Sequence, residues 1–304
     1  MNNTQPQQEL LTIRDWLRYA VSRFENSDIF YGHGTDNAYD EAVWLIMSAL
    51  HLPHDTLNNF LDAKLTSEER AKLTGFIDER INKHTPTAYL LEEAWLQGYK
   101  FYVDERVLIP RSFIAELLVN DGLQPWIEFP ELVNSAADIC TGSGCLGVLL
   151  ADAYPDAEVD VIDISPDAID VCNINIANYG LQDRVHAIQS DMFSALQDTH
   201  GKPKQYDLII SNPPYVDAPS MAELPAEYRN EPQLALGSGT AGLDHTHTIL
   251  REAANYLTDN GVLVVEIGHN RDALLEAYPD LPFTWLEVSS GDEFVFLLTK
   301  EQLI

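Results

Sequence analysis

Apolar residues in the first part of the chain recur at three- and four-residue steps. In "ELLTIRDWLRYAVSRF", Leu10, Ile13, Leu17, Val21 and Phe24 fall on one stripe. "NAYDEAVWLIMSAL" repeats the pattern with Val43, Ile46, Ala49 and Leu50. A third segment opens at Thr66, with Glu69 placed for a capping box, and runs through Leu73, Phe76 and Ile81. These periods predict a small helical domain over residues 1-84. Residues 85-110, rich in aromatic and branched side chains around Gly98, read as a hairpin linker. From 111 to 304 the pattern changes again: helical spacing in "RSFIAELLV" gives way to strand and helix in alternation.

Strands are predicted at 135-140, 157-164, 185-190, 206-212 and 261-267, with a closing pair at 283-289 and 293-299 around "SGDE". Helical stretches separate the first five, which requires crossovers and parallel pairing, whereas the last two are close enough for an antiparallel hairpin. The expected fold class is therefore α/β: a Rossmann-like sheet of five parallel strands plus a hairpin, preceded by the helical domain.

With 304 residues and 45% apolar content, two domains are affordable. No run of eighteen apolar residues occurs, and "MNNTQPQQEL" has no hydrophobic segment, so neither a membrane span nor a signal peptide is expected. Cys140, Cys145 and Cys172 are odd in number and lack zinc-site spacing, which suits reduced thiols in a cytoplasmic protein without a metal. Forty-eight acidic residues against 18 basic give a net charge of -30. Such a surface disfavours extended contact with a phosphate backbone and suits a basic protein partner; an organism-wide acidic bias explains the same number equally well.

"ADICTGSGCLGVLLA" joins the first strand of the alternating region to a helix, with Gly142, Gly144 and Gly147 in G-x-G-x-x-G spacing. Glycine allows a ligand close approach to the backbone, and the helix start offers free N–H groups. Asp163 ends the next strand, placed to accept from two ribose hydroxyls, and Ser165 and Pro166 cap and start the following helix. NAD and S-adenosylmethionine both use such a frame. Asp138, at the end of the first strand, would repel a diphosphate and favour a sulfonium and an ammonium, which selects S-adenosylmethionine. Asp191 is a candidate acceptor for the adenine amino group, and Met192 or Phe193 a candidate for packing on the ring.

The fourth strand ends in "SNPPYVD". Pro213 keeps Asn212 extended, and Pro214 does the same for Pro213. The Asn212 side-chain oxygen and the Pro213 carbonyl can then both point outward as neighbouring acceptors. Together they suit a planar NH2 group, whose nitrogen they would aim at a sulfonium methyl, with Tyr215 stacked on the planar group. The substrate is then an amide or the exocyclic amine of a base. His245 and His247 lack a third ligand and read as solvent-facing.

These residues resemble the HemK-type protein-glutamine methyltransferases, which methylate a glutamine side-chain amide in translation proteins. The likeness extends over nearly the whole chain and includes "FYVDERVLIPRS", "CTGSGCLG", "DISPDAI", "NPPYVD", "YRNEPQLAL" and "LTKEQLI". The resemblance implies a class I methyltransferase sheet. It implies that Gly142 and Gly144, with Cys140, Thr141 and Ser143 around them, and Asp163 hold the cofactor. Asn212 to Tyr215 would then hold the glutamine, with Asn212 also near the cofactor. Arg111-Ser112 and "MAELPAEYRNEP" look like the branch acting on large-subunit ribosomal protein three, with Phe113 where that branch commonly has proline. Arg111 and Glu231 recur in the family and would pair or touch substrate. The alternatives to this branch are glutamine methylation of release factors and amino-methylation of a nucleic acid base.

Overall fold

The computed structural model describes residues 6–304, so part of the polar N-terminal stretch lies outside the described residues. Two compact units emerge. The first contains the chain up to Ala94 together with Pro225–Asn230. Its helices Ile13–Glu25, Ala38–Ala49 and Ser67–Asn82 bury Trp16, Ala20, Phe24, Leu45, Ile46, Leu73 and Ile77 in one core. The first of these helices begins at Ile13, later than the apolar stripe suggests, because Thr12 and Asp15 form a capping box that fixes its start. Thr66 and Glu69 form the expected box on the third. Arg80 is buried in this unit, its Nε 2.5 Å from Glu41 and its Nη1 2.8 Å from Glu227, with Nη2 donating to the Phe30 carbonyl. A buried guanidinium persists only when paired in this way.

The hairpin is shorter than the sequence pattern suggests. Thr87–Leu91 is a helix, and only β1 (Ala94–Leu96) and β2 (Tyr99–Phe101) pair. Gln97 and Gly98 between them both have positive φ, 50° and 82°, the geometry of a two-residue hairpin turn.

The second unit contains a seven-stranded sheet of β3 (Ser135–Ile139), β4 (Glu158–Asp163), β5 (Val185–Gln189), β6 (Tyr206–Ser211), β7 (Leu257–Glu266), β8 (Thr284–Val288) and β9 (Gly291–Thr299). The order is β5-β4-β3-β6-β7-β9-β8. β3 to β7 pair in parallel, and β9 runs antiparallel between β7 and β8. Successive side chains alternate between two cores. Ala136, Val159, Val161, Leu208, Ile210 and Val264 face one, and Ala137, Ile139, Ile162, Ile209, Leu263 and Val265 the other. Burial on both faces is why these strands read as apolar runs.

Candidate active site

β3 lies between β4 and β6, with Ile139 paired to Ile162 on one side and to Ser211 on the other. The chain returns from β3 to β4 and from β6 to β7 on opposite sides of this line, so a crevice opens where β3 and β6 end. The glycine loop enters it directly. Cys140, at the end of β3, adopts a left-handed φ of 63°, which a non-glycine residue holds only under constraint. Thr141 N donates to the Ile162 carbonyl at 2.9 Å, and Asn175 Nδ2 donates to the Ser143 carbonyl at 2.8 Å. Gly144 (φ 80°) starts the helix Cys145–Ala153, and a Cβ there would lie 2.5 Å from Cys172 Sγ. A Cβ at Gly147 would run into the Val161 side chain, so the third glycine lets the helix sit down on β4.

Asp163 closes the loop from β4. Its Oδ2 accepts from Gly142 N and its Oδ1 from Ser165 N, each at 2.9 Å. Burial pushes its pKa up, opposed by those N–H groups. Each carboxylate oxygen retains acceptor capacity for a further donor. Ser165 caps the helix Pro166–Asn178 by accepting from Ala168 N.

Above this frame lies a cavity holding about 1030 Å³ of space, its mouth included. Its walls contain Cys140, Thr141, Gly142, Ser143, Asp163, Asp191, Met192, Asn212 and Pro214. Gly144, Asp138, Pro213 and Tyr215 are not among them. Gly144 acts one step back, as the helix start. Phe193 is fully buried and stacked on Tyr256, with centroids 4.7 Å apart, so of these two it is Met192 that reaches the cavity.

Asp138 departs from expectation. It shares the β3 face of Ala136 and is completely buried, with Oδ2 accepting from Thr141 Oγ1 at 2.5 Å. Strand alternation turns it beneath the helix and away from the cavity. Loss of solvent pushes its pKa up to about 7, and its bond from Thr141 braces the glycine loop from beneath. The acids that face the cavity are Asp163 and Asp191.

The fit to S-adenosylmethionine stands without Asp138. A Cβ on Gly142 would meet no atom within 4 Å, leaving open space beside a backbone that lines the cavity. Asp163 offers hydroxyl acceptors beside that space; Asp163 and Asp191 are the carboxylates on the walls, and the two guanidiniums there, Arg106 and Arg111, are paired with Asp104 and Glu231. Asp163, Asp191, Met192 and the loop Cys140–Ser143 would hold the cofactor.

The turn after β6 completes the site. Asn212 Nδ2 donates to the Arg111 carbonyl at 3.1 Å. A carbonyl only accepts, so it must face the NH2 end of the amide and Oδ1 is left for another donor. Ser211 Oγ donates to the Ile139 carbonyl at 2.7 Å and ties β6 to β3. Tyr215 packs its ring beside Gly268, and its carbonyl accepts from Asn270 Nδ2 at 2.7 Å.

The carbonyl that orients Asn212 is itself held. Arg111 pairs with Glu231 through two 2.7 Å bonds, and Ile109 N donates to the same carboxylate. On the other side, Ser112 Oγ and Phe113 N donate to Glu266 Oε2 at 2.6 and 2.9 Å. A proline at 113 could not make the second bond. Glu266, at the end of β7, is not signalled by the sequence, because it meets Ser112 across 154 positions. His245 is also displaced from its expected place: it lines the cavity beside Asp191 and Met192. His247 is partly buried, with Nδ1 2.8 Å from Tyr278 Oη.

The methyltransferase small domain family matches residues 125–224. The ribosomal protein uL3 glutamine methyltransferase of Neisseria gonorrhoeae is 58% identical over 300 residues, covering 99% of this chain and 98% of the relative. That of Burkholderia pseudomallei is 51% identical, covering 96% of this chain and 95% of the relative. Identity at this level over both full lengths, on a parallel sheet with a glycine loop and an Asn-Pro-Pro-Tyr turn at one crevice, leads to one assignment: the chain belongs to the S-adenosylmethionine-dependent protein-glutamine methyltransferases of the uL3 type.

Proposed function

We propose that this chain methylates the side-chain amide nitrogen of a glutamine in ribosomal protein uL3. The observation that carries the reading is the Asn212 amide, fixed by the Arg111 carbonyl so that its oxygen faces outward at the cavity wall. The neighbouring Pro213 is buried and lies behind the cavity wall, and its carbonyl accepts no hydrogen bond from the described residues. Two acceptors in adjacent residues match the two N–H bonds of a carboxamide and hold its nitrogen in one orientation. S-adenosylmethionine, when bound, supplies a methyl carbon made electrophilic by a sulfonium. Asn212 and Pro213 keep the two N–H bonds polarised toward oxygen, which leaves electron density on nitrogen and restricts its direction of approach. With the cofactor bound, the C–N bond would form as the methyl–sulfur bond breaks and leaves its electron pair on sulfur, and one of those N–H protons would then leave to water.

The relatives carry uL3 in their names, and a net charge of -30 favours a basic protein over a nucleic acid surface. In this reading the helical residues 1-84 recognise the ribosomal protein and residues 111-304 perform the transfer in the cytoplasm. No described helix is long and apolar enough to cross a membrane. The test is incubation with methyl-labelled cofactor and a panel of uL3, release factors and ribosomal RNA, followed by peptide mapping. One uL3 glutamine should gain about 14 Da, the mass of a methylene. Label confined to RNA or to release factors would contradict the assignment.

A further inference from the structure

Along β2 two alternate residues are met by side chains where another strand would lie. Lys100 N donates to Tyr179 Oη, and the same hydroxyl donates to the Lys100 carbonyl, both at 2.9 Å. Two residues on, just past β2, Tyr102 N donates to Asn175 Oδ1 at 2.8 Å and the Tyr102 carbonyl accepts from Asn175 Nδ2 at 3.0 Å. Residues i and i+2 of an extended chain turn their N–H and C=O groups to the same side. Asn175, in the helix Pro166–Asn178, and Tyr179 at its end therefore serve β2 as a surrogate strand. The two differ in where their bonds lead. Among the described residues Tyr179 Oη bonds only to Lys100, whereas Asn175 is completely buried and also donates from Nδ2 to the Ser143 carbonyl at 2.8 Å. Facing two carbonyls and one N–H, the Asn175 amide has a single orientation, with both N–H bonds and its oxygen engaged.

Both ends of this link lead to the cavity. Ser143 lines it together with Cys140, Thr141 and Gly142. From Tyr102 the chain runs to Asp104, whose carboxylate takes the Tyr102 hydroxyl at 2.8 Å and Arg106 N at 3.0 Å and pairs with the Arg106 guanidinium at 2.6 Å. Arg106, Val107 and Leu108 then form another part of the wall, while Asn175 and Tyr102 are not on it themselves. Resting on the functional reading above for the identity of the methyl donor, we propose that Asn175 is a positioning residue for that donor. Its amide fixes the glycine loop against the Arg106–Leu108 wall, so that the backbone of the loop is already placed when the donor arrives. An aspartate here would keep an oxygen for Tyr102 N and turn a second one on two carbonyls. An alanine would leave three backbone groups without their partner.

The experiment titrates S-adenosylmethionine into wild type, Asn175→Asp, Asn175→Ala and Tyr179→Phe by calorimetry, with melting temperatures alongside. Tyr179→Phe keeps the ring and loses the Lys100 bonds, so it reports what loosening the hairpin does by itself. Both Asn175 variants should bind the donor at least ~10-fold more weakly, about the worth of one hydrogen bond. Tyr179→Phe should melt lower with donor affinity within ~2-fold of wild type. On uL3, Asn175→Asp should raise KM for the donor by the same factor and leave kcat within ~3-fold, since the bond from Asn212 to Arg111 does not run through Asn175. An enzyme that is only destabilised would lose kcat through a smaller folded fraction, with KM unchanged. Wild-type affinity in a folded Asn175 variant, or equal weakening in Tyr179→Phe, would overturn the proposal. Should neither Asn175 variant fold, hydrogen exchange on wild type decides. Donor binding should slow exchange at the Tyr102 amide, off the wall, together with the amides of Gly142 to Gly144, and protection confined to the loop would overturn the proposal. Donor binding is read without uL3, so inactivity of wild type on uL3 would count against the functional reading alone.

Discussion

Asn212 owes its orientation to a carbonyl 101 positions earlier in the chain, and the same dependence on distant partners decides which predicted residues reach the cavity. The sequence shows why an Asn-Pro-Pro turn exposes acceptors, because proline geometry is local. It does not show that Arg111 supplies the carbonyl, that His245 lines the cavity, or that Asp138 lies beneath the loop. Those depend on which strand neighbours which. Asp163 was legible in part: its place at a strand end marks it as an acceptor, but its two bonds to Gly142 and Ser165 also make it a brace for the loop. Asp163→Ala should therefore weaken binding of the methyl donor by ~10- to 100-fold, the worth of one or two hydrogen bonds to a charged group. Calorimetric titration checks this. Unchanged affinity would remove Asp163 from the binding site.

Strands and helices were the most readable elements, since both cores of the sheet demand apolar residues on alternate sides and β3 to β9 fall close to their expected limits. Misreadings arose where a side chain overrides the period. Thr12 starts one helix late through its capping box, and Thr87–Leu91 turns helical inside an aromatic-rich stretch. The segment Arg111–Phe113 shows how an element's placement carries a cost. Glu266 is fully buried, and loss of solvent pushes its pKa to about 7 despite donors from Ser112 and Phe113. A carboxyl whose pKa is higher folded than unfolded binds its proton more tightly in the folded state. Its stabilising contribution is full below the ordinary carboxylate pKa and is lost as pH rises through about 7. Asp138 titrates in the same window and remains in any Glu266 variant. Between pH 5 and pH 8, urea unfolding should show wild type losing at least about 1 kcal/mol more stability than Glu266→Gln. Parallel pH profiles for the two proteins would show that Glu266 is not held in the protonated form.

For the molecule as a whole, net charge is the property the sequence states most plainly, and its meaning depends on the partner. Electrostatic steering of a basic ribosomal protein by a surface of -30 predicts an association rate that falls by ~10-fold or more between 50 and 300 mM salt in stopped-flow mixing. A flat response would assign the acidic surface to a general compositional bias. The proposed chemistry rests on a smaller feature, the Asn212 amide and its neighbouring carbonyl on one turn. Its most direct test is single-turnover transfer by Asn212→Ala, with binding of the methyl donor measured on the same preparation. Donor affinity should stay within ~3-fold of wild type while the transfer rate falls by at least ~100-fold, as when one positioned transition-state partner is removed. An unchanged transfer rate in Asn212→Ala would contradict the account.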